Sequence, residues 1–101
     1  MAGKIYISEY ADLPVISVGQ VLPVGREPAL AEQLVNTSAT SAQSAAFNAK
    51  TKFVRVHAAT IVSIKFGANP TAVVGEKRMA AGATEFFGVN TGDKLAGIDN
   101  T

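Results

Sequence analysis

Cysteine and tryptophan are missing from the 101-residue chain, and histidine occurs once. Without cysteine there can be no disulfide, thiol nucleophile or zinc–thiolate site, and one histidine cannot build a multi-histidine metal centre. Neither sign of charge dominates. Nine Lys and Arg against eight Asp and Glu leave a net charge of +1, which gives no electrostatic footprint for nucleic acid or an anionic membrane. Charged residues amount to 17 %, low against the usual quarter. No apolar run approaches the roughly 20 residues of a membrane helix. The first ten residues lack the apolar core of a signal peptide, so the expectation is a product of the cytoplasm. What the chain does hold is apolar material, 48 % of its residues. That is enough to argue against disorder, and the length suits one domain.

Nine Gly and four Pro punctuate short apolar runs. This is the pattern of an all-β domain, a compact antiparallel β-sandwich or barrel. Lys4 to Ser8 alternates, with Ile5 and Ile7 on one face and Tyr6 on the other. Pro14, Pro23 and Pro28 exclude a helix over residues 12–28. There Val15 to Val18 and Val21-Leu22 read either as edge strands or as an extended arm that lies on an apolar surface. The chain thus divides into an extended N-terminal strand and arm, residues 1–30, and a body, residues 31–101. Glu32 to Thr37 reads as a strand. Ser41 to Phe47 is compatible with two helical turns or a strand of small side chains. The strand is preferred because the turn at Asn48 to Thr51 leads directly into the strongest strand, Lys52 to Ala58. In that strand Val54, Val56 and Ala58 share one face and Phe53, Arg55 and His57 the other. Thr60 to Phe66 is expected to pair antiparallel with it. Gly82 is expected to turn a hairpin between Lys77 to Ala80 and Thr84 to Val89, with the consecutive Phe86 and Phe87 pointing to opposite sides. Lys94 to Ile98 is the last strand. Aromatics are only 7 %, so the core is thin and oligomerisation is expected to add burial.

Reactive constellations are sparse. Glu85 and Asp93 lie in neighbouring strand regions, but both sit beside turns and near Lys94, a setting for solvated surface charge. A working carboxylate pair needs one cleft and separated pKa values. His57 reads as a packed or interface histidine, and no Gly-x-Ser-x-Gly elbow offers it a serine. Neither a Gly-x-Gly-x-x-Gly loop nor a Walker pattern is present, and no run of aspartates suits calcium. The expectation is a protein that is not an enzyme and takes no metal or cofactor. Tyr6 and Tyr10, four residues apart on one strand face, suit protein contact or sugar stacking, or packing beneath the arm that follows.

The run Ser41-Ala42-Gln43-Ser44-Ala45-Ala46-Phe47-Asn48, followed by Thr51 to Ala58, resembles small proteins encoded among tailed-phage head genes. Phe66-Gly67-Ala68-Asn69-Pro70-Thr71-Ala72, Arg78 to Val89 and Gly92-Asp93-Lys94-Leu95-Ala96 continue the pattern in order, so that it covers residues 38–98. The resemblance implies a virion component, a capsid decoration or cement protein with a β-sandwich or jelly-roll-like body. Its partner would be the major capsid protein, on the capsid exterior, with neighbouring capsid subunits bridged. It would itself be a homo-oligomer, dimer or trimer, and would bind no nucleic acid or membrane. Leu13, Val15, Ile16, Val18, Val21 and Leu22 are then expected as arm contacts, by strand addition to a partner or along a capsomer seam. Tyr6, Tyr10, Phe53, Arg55 and His57 are expected on an intersubunit face. The alternative is a small β-sandwich binding module of a phage fibre that reads carbohydrate or a host surface, against which the lack of Trp counts.

Overall fold

A computed structural model of the chain describes residues 3–11, 15–17, 20–21 and 28–100, with backbone alone at 15–17 and 20–21. These residues hold ten strands and no helix. They are β1 (Gly3–Tyr10), β2 (Val15–Ser17), β3 (Gln20–Val21), β4 (Ala31–Thr37), β5 (Ala42–Gln43), β6 (Phe53–Ala58), β7 (Val62–Gly67), β8 (Arg78–Met79), β9 (Thr84–Gly88) and β10 (Lys94–Asp99). Two four-stranded sheets run in the orders β4-β1-β6-β9 and β5-β10-β7-β8, and β2 and β3 form a separate pair. Every pairing between these strands is antiparallel.

The two-residue period of the strands builds the core. Ile5, Ile7, Val35, Val54, Val56 and Ala58 line the inner face of the first sheet, and Val62, Ile64, Met79 and Leu95 meet them from the second. The sheets therefore pack face to face, sandwich-like, with alternate residues facing out. At Gly97 the two layers approach closely. A Cβ there would lie 2.5 Å from Cδ1 of Ile5 and 3.2 Å from Cγ2 of Thr37.

Glu9 is in phase with Ile5 and Ile7 and is buried. Its Oε1 accepts the Asn48 N–H at 2.7 Å and the Thr51 hydroxyl at 2.8 Å, and its Oε2 accepts the Gln33 amide at 2.8 Å. Gln33 in turn accepts the Ala45 N–H on Oε1 at 2.8 Å. One carboxylate thus fastens β4 and the 44–51 connection to β1, and its lone pairs are met by donors as burial demands.

Three local expectations meet a different arrangement. The runs around β6 and β7 were expected to pair, but β6 lies between β1 and β9 while β7 lies between β10 and β8. Ala59 to Ile61 carries the chain from one sheet to the other, with the Ala59 N–H donating to Lys4 O and Asn100 N–H to Ile61 O. Likewise Ala80 to Ala83 is no hairpin: it joins β8 of the second sheet to β9 of the first. Gly82 supplies the left-handed φ of +78° that the corner needs. Ser41 to Phe47 keeps only the two-residue β5, because its small side chains bury little and its amides bond outside the ladder, as Phe47 N–H does to Asp93 O. The strand expected at Lys4 to Ser8 is part of Gly3–Tyr10, an inner strand of the first sheet.

Candidate functional site

The two outer faces differ. On the second sheet, the segment 68–77 leaves β7 and reaches the β5 side, where Gln43 donates to Asn69 and to Pro70 O, and Ser41 Oγ accepts the Ala72 N–H at 2.9 Å. Lys65, on that face, pairs with Glu76 at 3.6 Å. Ala72 is buried, and so are Ser63 and Ala96, which belong to the outward set of their strands. Residues 68–77 therefore roof that face.

Over the first sheet the outward residues other than Tyr10 are exposed or half-buried, and register sorts them into rows across the strands. Leu34, Tyr6, His57 and Thr84 form one row; Glu32, Ser8, Arg55 and Phe86 form the next. Tyr10, Phe53 and Gly88 form a third. Leu34 is 48 % exposed, Tyr6 46 % and Phe86 51 %. Ring contacts tie the face together. Tyr6 and His57 have centroids 6.2 Å apart, Tyr10 stacks on Phe53 at 5.3 Å, and Phe53 meets Phe86 at 6.3 Å. His57 Nδ1 is hydrogen-bonded to Thr84 Oγ1 at 2.7 Å, which holds the imidazole flat against β9.

All five residues expected on an intersubunit face, Tyr6, Tyr10, Phe53, Arg55 and His57, are thus gathered on one surface. Tyr10 is buried there beneath its neighbours, and the other four are half-buried or exposed. Of the arm residues, Leu13, Val18 and Leu22 lie outside the described residues, and the side chains of Val15, Ile16 and Val21 do too. Sequence reasoning missed Glu32, Leu34 and Phe86 as members of the face. The signal for Phe86 was its doublet with Phe87, since Phe87 turns inward against Phe66. For Glu32 and Leu34 it was their alternation with Val35 and Thr37.

The chemistry this arrangement offers is contact. The face is mixed: Leu34, Tyr6, Phe53 and Phe86 lie among Ser8, His57, Thr84, the acidic Glu32 and the basic Arg55 level with it, and Lys4 and Asn36 form a further, exposed row. No group of three or more His, Asp or Glu is gathered at metal-binding distance among the described residues, and no hydrogen bond or ion pair joins Glu85 to Asp93. No family model, curated protein or solved structure matches this chain.

Proposed function

We propose that the chain is a structural virion protein that decorates a phage capsid from outside and cements it by bridging neighbouring subunits of the major capsid protein. The observation that supports this reading is the one-sided surface: a face with exposed Leu34, Tyr6 and Phe86 among polar side chains is left open on one sheet, while the other is covered by the protein's own chain. Adhesion repeated over many copies needs buried area, not a reactive cleft. The jelly-roll form is part of the proposal. A jelly roll is a long hairpin rolled up, so its strands pair from the inside out. The pairs β7–β8, β6–β9, β5–β10 and β4–β1 follow that nesting when β1 is counted after β10. The arm of the proposal runs between β1 and β4. Its β2–β3 pair joins neither large sheet, which suits strand addition to a shell subunit.

Leu30 N–H donates to Glu9 O at 2.7 Å, so the two ends of the intervening segment lie side by side. Residues 12–27 can therefore be replaced by a short glycine turn without touching β1. In co-sedimentation with expanded capsids, the intact protein is expected to bind and the shortened one to bind at least tenfold more weakly while keeping its β circular dichroism. Unchanged affinity would remove the arm from the mechanism, and failure of the intact protein to bind any shell would end the virion reading. The open rings of Tyr6 and Phe86 favour one other reading, a fibre-borne module that stacks on sugars. Saturation-transfer signals from glycans, with no shell binding, would select it.

A further inference from the structure

We infer that the open face of the first sheet is a two-fold self-association surface, with the symmetry axis running along β1. This rests on the reading of that surface as an intersubunit face and deepens it: the face joins two copies, and contact with the shell falls to their two arms. Glu32 on β4 and Arg55 on β6 stand level with each other on either side of Ser8 on β1. Neither has an ion-pair partner within the chain among the described residues. A second copy rotated by a half-turn about β1 lays its β6 over β4 and its β4 over β6. Each Glu32 then meets the other copy's Arg55, twice over, Leu34 faces His57, Tyr6 faces Tyr6 across the axis, and Lys4, at the end of the strand, faces Lys4. Phe86 on β9 extends past the partner's β4 edge. An axis across the strands at the same level would instead set Glu32 against Glu32 and Arg55 against Arg55. The first axis sets two attractive pairs against one opposition of flexible lysines at the rim, whereas the second has like-charge contacts only, which selects against it.

The size of the face sets the strength. The three strands that overlap, β4, β1 and β6, lie about 4.8 Å apart and each present about six residues at about 3.4 Å, a footprint of about 300 Å² per copy. Two copies bury on the order of 600 Å² in total, below the standard size of specific interfaces, so a weak dissociation constant on the order of 100 µM is expected.

Sedimentation of the full chain over a concentration series tests this. The wild type should move from monomer towards dimer and no further. Glu32→Arg alone and Arg55→Glu alone should each weaken dimerisation at least tenfold, since each places like charges opposite one another at both contacts. An equimolar mixture of the two variants should form a heterodimer, and the double variant should recover homodimer. Singles that associate like the wild type, a mixture that fails to pair, or a wild type that stays monomeric at millimolar concentration would overturn the inference. Shell co-sedimentation of the same singles separates this from the virion reading, because that reading fails only if the intact wild type binds no shell.

Discussion

Glu9 carries more of the architecture than any apolar residue near it, because three donors from two other segments converge on it. Glu9→Gln keeps the shape but turns an NH2 towards at least one of those donors. We expect a loss of about 2 kcal/mol in urea denaturation, the cost of an unmet buried polar contact, and a melting temperature lower by about 10 °C. A change within about 0.5 kcal/mol would show that the 44–51 connection does not depend on it. Gly97 makes the opposite demand, for empty space. Gly97→Ala drives a methyl into Ile5 Cδ1 and should cost about 1–3 kcal/mol by overpacking. Ile5→Val removes that Cδ1, so the double variant should be more stable than the sum of the two single losses predicts, a coupling that a double-mutant cycle reads directly. Additivity within about 0.3 kcal/mol would mean that the layers part instead of Ile5 yielding.

At the level of the strand, alternation tells which way each residue faces but not which strand lies beside it. Lys4 to Ser8, Lys52 to Ala58 and Lys94 to Ile98 read correctly as strands from their two-residue period, including the common face of Val54, Val56 and Ala58 and the common face of Tyr6 and Tyr10. The partners of β6 and β9 did not. A hairpin and a crossing between sheets both need a short connection with a turn residue, and Ala59 to Ile61 and Ala80 to Ala83 satisfy either. What decides is long-range: β1, more than forty positions away from β6 in the chain, takes its edge by matching Ile5 and Ile7 with Ala58 and Val56. The candidate face was half legible for the same reason. Residues of one strand were grouped at once, while Glu32, Leu34 and Phe86 joined them only through register with β1 and β6.

For the whole molecule, Gly3 and β10 adjoin: a Cβ on Gly3 would lie 3.2 Å from Oδ1 of Asp99, and Thr37 donates its hydroxyl to that same carboxylate. A permuted chain, with residues 100 and 3 joined by a short glycine linker and opened within the Asn90–Gly92 turn, should fold with its β circular dichroism intact and lose no more than about 1–2 kcal/mol, as loop relocation costs little. A permutant that fails to fold would show that β1 must be made first. The roof over the second sheet has a consequence for growth. A slab sticky on both flanks would stack without limit, as fibres do. Here residues 68–77 cover one flank and leave Val73 and Val74 exposed on it, a patch too small to continue a column once two copies have met, so crowding the protein to high concentration should leave a clear solution.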